Sequence, residues 1–168
     1  PAVSWCRYTT GMPKPAPAST IAANLDRVRA AIAAAAHRAG RNPDDIRLVA
    51  VSKTQPPAAV AAAVAAGQRA FGENTVQDAL GKIPAFAGQG LEWHFIGHLQ
   101  SNKAKHIPGN FAWLHSLDGL RLGERVARFA AESGATVNAL IEVNISRDPA
   151  RHGVDPDHTQ VLLEQLLQ

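Results

Sequence analysis

The feature that most constrains this chain is a strict alternation of apolar runs with helical segments, five times over. The runs are "IRLVAVS" (46–52), "RAFGE" (69–73), "EWHFIG" (92–97), "FAWLHSLD" (111–118) and "VNALIEVNIS" (137–146). Between and after them stand "PAAVAAAVAAG", "NTVQDALGKI", "SNKAKHI", "LRLGERVARFAAESG" and a last helical stretch opening near Asp155-Pro156. A further helix precedes the first run, from about Ser19 to Ala39, with Ile21, Leu25, Val28 and Ile32 at helical spacing and Gly40 to end it. Strands that follow one another through helices pair in parallel, because a parallel pair needs a crossover and the crossover helices cover the sheet. The units share no repeated motif, so this is not a solenoid. Periodicity leaves two architectures open: an open doubly wound sheet, or part of an eight-stranded barrel.

In either architecture a site lies at the carboxyl ends of the strands. Those ends read "SKT" (52–54), "GEN" (72–74), "HFIGHLQSNK" (94–103), "HSLD" (115–118) and "NIS" (144–146), each offering small or hydrogen-bonding groups where an apolar run stops. Lys53 stands out among them. The buried run Val49-Ala50-Val51 delivers its amine to a fixed place, and a lysine in a partly desolvated pocket becomes a nucleophile for carbonyls. A solvated lysine at a strand end is the competing reading. Asn74 stands at a strand-to-helix junction, where an N-cap competes with a ligand contact. His94, between Trp93 and Phe95, faces the opposite side of its strand from both, as a structural imidazole or a ring-stacking partner. No second histidine or carboxylate stands at metal-ligand spacing from it, so no metal is expected. His115 and Ser116 are adjacent on a strand and point to opposite faces, which argues against a hydrolase triad and for Ser116 as a small pocket-lining donor. "GQG" at 88–90 precedes a strand instead of following one and reads as a turn.

Composition narrows the partners. With 46% hydrophobic residues in 168, the chain can build one domain core. The 17 basic and 14 acidic residues are spread along the sequence, so a net charge of +3 makes no case for nucleic acid. No stretch approaches the roughly 18–20 unbroken apolar residues of a membrane span. Cys6 is alone, which gives no disulfide framework and makes a reducing, cytoplasmic setting the default. Residues 1–18 read as a Pro-rich flexible leader without a signal-peptide core, with 1–11 set down as non-native, and 19–168 as one domain. The last helical pattern has no stop signal, so a missing remainder is expected.

Taken in order, "LVAVSKTQP", "FGENTVQDA", "WHFIGHLQSNK", "LHSLDGLRL" and "VNIS" closely resemble the pyridoxal phosphate homeostasis protein family, relatives of the amino-terminal barrel of alanine racemase. The resemblance covers about residues 19–168. It implies an α/β fold of the (β/α)8 TIM-barrel type with only about five of the eight strand–helix units present. It implies pyridoxal 5'-phosphate as cofactor, held as an aldimine on Lys53, with Asn74 near the cofactor, His94 near its ring and Ser116 lining the pocket. The expected role is that of a non-catalytic carrier: a soluble monomer that buffers the cofactor and delivers it to apo-forms of pyridoxal phosphate enzymes. A racemase- or decarboxylase-like enzyme and a non-binding barrel fragment remain alternatives. The sequence departs from the family pattern in "RDPARHG", where Arg151 stands in place of a lysine and cannot readily form a Schiff base. The family's late phosphate-binding segments have no counterpart in this sequence. Edge strands near 46–52 and 137–146 would be left unpaired, an aggregation liability.

Overall fold

A computed structural model describes residues 18–168. The leader, apart from Ala18, lies outside the described residues. The chain runs α1 (Ala18–Arg38), β1 (Ala50–Val51), α2 (Pro57–Ala65), β2 (Ala70–Glu73), α3 (Val76–Leu80), β3 (Glu92–Phe95), β4 (Trp113–Leu117), α4 (Leu120–Ser133), β5 (Asn138–Ile141) and α5 (Thr159–Leu166), with short 3-10 turns between. All five anticipated strands are present, and "SNKAKH" forms a 3-10 turn over Ser101–His106. The "GQG" turn is confirmed, with Gly88 and Gly90 both in the left-handed region.

All four strand pairs are parallel, and the spatial order is β1-β2-β3-β4-β5, the order of the sequence. A doubly wound sheet reverses its strand order at a switch point, whereas barrel strands are laid down in succession. The order therefore decides for the barrel type. The edge strands are shorter than their apolar runs. Within 46–52 only Ala50 and Val51 pair, and within 137–146 the ladder covers Asn138–Ile141. Each has one neighbour, so its ladder is short and its ends need ties beyond it.

Register shows which face does what. Phe71 lies beside Trp93, and Phe95 beside Leu114. These four point toward the helices and form the core with Val60 of α2, Val76 of α3, Ile107, and Leu122 and Val126 of α4. Phe129, on the same stripe of α4, packs against that core from its margin. The alternate row, Val51–Gly72–His94–Trp113, faces the other way, onto the concave side. There the sheet is open at its flanks: Val51 is 51% and Leu140 44% exposed.

Two buried polar side chains tie β1 to β2. Gln68 serves the amino ends, its Nε2 donating to the carbonyls of Leu48 at 2.7 Å and Ala70 at 2.8 Å. Lys82 serves the carboxyl ends. Close backbone approach fixes the next junction: a Cβ on Gly97, just past β3, would collide with the backbone carbonyl of Asn74. Gly97→Ala should therefore cost about 1–3 kcal/mol, the range for overpacking a fitted site. Denaturant unfolding checks this, and an unchanged midpoint would show that the contact yields freely.

Candidate functional site at the carboxyl ends of the strands

Lys53 is exposed, so the partly desolvated setting expected for it is not what the chain forms, and it comes one residue after Ser52, which is buried. The Ser52 hydroxyl donates to Glu73 Oε1 at 2.6 Å, on the helix side of the sheet. Alternation then directs Lys53 to the concave side, with Val51. Both neighbours of Lys53 are anchored by one network. Lys82 is buried, and its Nζ donates to the Ser52 carbonyl at 2.7 Å, to Glu73 Oε1 at 2.9 Å and to Asp78 Oδ2 at 2.9 Å. The same Asp78 oxygen accepts the backbone N–H of Thr54 at 3.1 Å. Thr54 has φ +62°, a conformation a β-branched residue adopts only under constraint and at a cost of about 1–3 kcal/mol. The strained turn and the buried ammonium together fix the backbone from which Lys53 projects.

The charges of this network follow from its burial. Desolvation raises the Glu73 carboxyl above its ordinary range, while Ser52 and Lys82 pull it back. Its second oxygen, Oε2, is buried without a hydrogen-bond partner. Burial also acts to raise Asp78, but Lys82 and the Thr54 amide outweigh it and leave the group lowered.

A second network lines the concave face. His94 faces the opposite side of β3 from Trp93 and Phe95, as alternation predicts, but is buried like them, and its ring stacks on Trp113 at 6.0 Å between centroids and 5° between planes. Both of its nitrogens are engaged: Nε2 lies 2.9 Å from Glu92 Oε1, and Nδ1 lies 2.9 Å from His115 Nε2. With Glu92 ionised as acceptor, neutral His94 donates through Nε2 and accepts at Nδ1 from His115, so the chain runs His115 to His94 to Glu92. Arg47 donates to the same Glu92 oxygen. Burial opposes ionisation of Glu92, yet His94 and Arg47 hold its carboxyl below the usual range. Burial lowers His94 against the pull of Glu92, and burial, then the nearby His94, lowers His115.

The other anticipated residues divide. Thr75, not Asn74, is the N-cap of α3, accepting the Asp78 amide on its hydroxyl. The cap reading of Asn74 is corrected, and its side chain is free of that role. Ser116 is buried and its Oγ has no hydrogen-bond partner. It sits where two residues of β4, His115 and Ser116, stand against one of β5, Leu140, between the pairs Leu114–Ala139 and Leu117–Ile141, an irregularity that re-aims side chains. Among the described residues no hydrogen bond joins any two of Lys53, Asn74, His94 and Ser116. What sequence reading missed is the support. Asp78 and Lys82 stand at i,i+4, a visible helix pair, but nothing local says that the lysine turns inward to β1. At the same rim, His98 after β3 lies 3.5 Å from Asp118 after β4, and its ring stacks on His152.

Parallel strands in sequential order, helices on one face and a lysine at the carboxyl end of β1 define a racemase-type barrel scaffold. The profile of the alanine racemase N-terminal domain matches residues 23–168. The chain belongs to that family. Relatives carrying the name pyridoxal phosphate homeostasis protein are 44% identical over 150 residues in Pseudomonas aeruginosa and 47% identical over 137 residues in Escherichia coli strain K12. These matches cover 89% and 80% of this chain but 65% and 58% of the relatives. The chain thus spans under two thirds of their length. PipY of Synechococcus elongatus, solved with PLP bound, superposes with a TM-score of 0.73 at 38% identity, over 88% of this chain and 64% of that one.

Two outcomes follow from these networks. Lys82→Met takes the ammonium from Glu73, Asp78 and the Ser52 carbonyl, leaving Glu73 with only the Ser52 hydroxyl and Asp78 with only the Thr54 amide, and should cost about 3–5 kcal/mol in denaturant unfolding at pH 7. The loss should shrink as the pH falls, because Glu73, already raised by burial, rises further without Lys82 and takes up a proton that removes its unpaired charge. A loss under about 1 kcal/mol at pH 7 would mean the network carries little. Acidification should also destabilise the wild type. Unfolded imidazoles, at about 6.5, take up protons before the depressed His94 and His115 do. Their contribution is present above that pH and is lost as pH falls through the folded values. The melting temperature should fall from pH 7 to 5, and less steeply in His115→Gln, whose amide still donates to His94. Equal slopes would remove His115 from this account.

Proposed function

We propose that this chain binds pyridoxal 5'-phosphate at the carboxyl rim of the sheet, through the amine of Lys53. The observation that carries this is the anchored, exposed Lys53: Ser52 is pinned by Lys82 and Glu73, Thr54 by Asp78, and the lysine between them has no other partner among the described residues. The names of the homeostasis relatives and the PLP bound in PipY support the same reading. The rim fits such a group. It offers an amine for the aldehyde carbon, the Asn74 side chain released from capping, the unpartnered buried Ser116 hydroxyl, and the imidazole–indole face of His94 on Trp113.

The bound cofactor supplies a carbonyl carbon that an amine can attack. The rest is the work of this chain. The Lys82 network orients Lys53, Asn74 and Ser116 donate to polar atoms, and the buried His94 ring gives a rigid floor. The role for the whole protein is holding and delivering the cofactor, as a cytoplasmic monomer whose recipients are apo-forms of pyridoxal phosphate enzymes. No described helix is long and apolar enough to cross a membrane.

Incubation with pyridoxal 5'-phosphate, borohydride reduction, intact mass and peptide mapping test the reading. One adduct on Lys53, absent in Lys53→Ala, is expected. Adducts scattered over many lysines, or one retained in Lys53→Ala, would overturn the assignment.

A further inference from the structure

Beyond the Lys53 site, three side chains from distant segments converge on the same rim. His98 follows β3, Asp118 follows β4, and His152 lies in the long connection after β5. One ligand atom from each, an imidazole nitrogen or a carboxylate oxygen, lies within 4.8 Å of the other two. His98 Nδ1 is 3.5 Å from Asp118 Oδ2. The imidazoles of His98 and His152 stack face to face, 3.6 Å between centroids and 9° between planes. We propose that His98, Asp118 and His152 form a binding site for a divalent transition-metal ion of the zinc type, with one coordination position left to water.

The distances fit that ion. Nitrogen and oxygen ligands sit about 2.0–2.1 Å from zinc, so two ligands of a tetrahedron stand roughly 3.4 Å apart. The His98–Asp118 separation already has this value, and a swing of the exposed His152 ring out of the stack brings in the third ligand. Two imidazoles and one carboxylate favour zinc, cobalt or nickel over calcium and magnesium, which prefer oxygen donors throughout. Three protein ligands leave the fourth tetrahedral position open.

The backbone holds the three residues before any ion arrives. Gly97 is pressed against the Asn74 carbonyl, which fixes the start of the His98 segment. The loop carrying His152 is closed at its base, where the Asn144 amide donates to the Val154 carbonyl at 2.8 Å and the Val154 amide to the Glu142 carbonyl at 2.8 Å. Asn144 Nδ2 spans the loop to the Asp148 carbonyl at 2.8 Å. Gly153, with φ +109°, sits so close to Asn144 that a Cβ would meet its nitrogen at 2.8 Å. His152 is therefore delivered by a closed loop, in the stretch where the sequence departs from the family pattern. The spacing of the three residues along the chain, 98, 118 and 152, could not have shown this.

The test is direct binding of the metal alone to the unmodified chain. Cobalt(II) titration followed by visible absorption, with zinc(II) competition and calorimetry, should show one ion per chain. His98→Ala and His152→Ala should each weaken binding by at least the roughly 10–100-fold that even outer partners of a metal ligand contribute. Asp118→Asn should weaken it as well, and His37→Ala, at the far end of α1, should not. All three site residues are at least partly exposed, so circular dichroism should report unchanged folding. No cobalt spectrum, or binding equally strong in His98→Ala and His152→Ala, would overturn the site. Borohydride trapping on Lys53 is unaffected by either result, so this proposal and the cofactor reading fail separately.

Discussion

The constraint on which the rest depends is parallel pairing between strands that are consecutive in the chain. Each pair needs a crossover, and with the order β1 to β5 unbroken the crossovers accumulate on one face of the sheet. That face becomes the core, with Phe71, Trp93, Phe95 and Leu114 under the helices. The opposite face is left to curve around a space, and every strand delivers its carboxyl end to the same rim. Lys53, Asn74, His98, Asp118 and the loop after β5 meet there for that reason. None of them is near another in sequence except through this rule.

Within that frame two buried polar side chains do what apolar packing cannot. A two-residue edge strand such as β1 has few ladder bonds of its own, so its ends need other ties. Gln68 supplies them at one end and Lys82 at the other. A buried ammonium is stable only when its donors are used, and here three acceptors use them: the Ser52 carbonyl, Glu73 and Asp78. Asp78 then reaches Thr54 across the turn. The strain at Thr54 persists because the surroundings leave it no alternative. Lys53 is thereby held by its backbone on both sides, while its side chain makes no hydrogen bond among the described residues.

The concave face is built on a different principle. Glu92, His94 and His115 form a chain of hydrogen bonds in which each neutral imidazole has a fixed donor side, and Trp113 fills the remaining face of His94. This hydrogen-bonded chain is centred on the buried His94, whereas the rim above it carries the exposed groups. The His98–Asp118–His152 cluster belongs to the rim and not to the floor.

Much of the fold was legible in the sequence. The five apolar runs, the amphipathic stripe of α4 through Leu122, Val126 and Phe129, and the glycines that end helices all follow from local periodicity and backbone sterics. So did the opposite facing of His94 from Trp93 and Phe95, because side chains alternate on a strand. Sequence also singled out Lys53, but the run before it is not buried: Val49 and Ala50 are half-buried and Val51 is exposed, because β1 is a two-residue edge strand with one neighbour. Strand order was not legible, because an open sheet and a barrel share the same alternation. Nor was the cap of α3, where Asn74 and Thr75 compete and the observed backbone gives the role to Thr75. The inward turn of Lys82, the Glu92–His94–His115 chain and the meeting of His98, Asp118 and His152 were decided only by tertiary structure. Each joins residues whose distance in sequence carries no energy of its own and whose distance in space is set by the sheet.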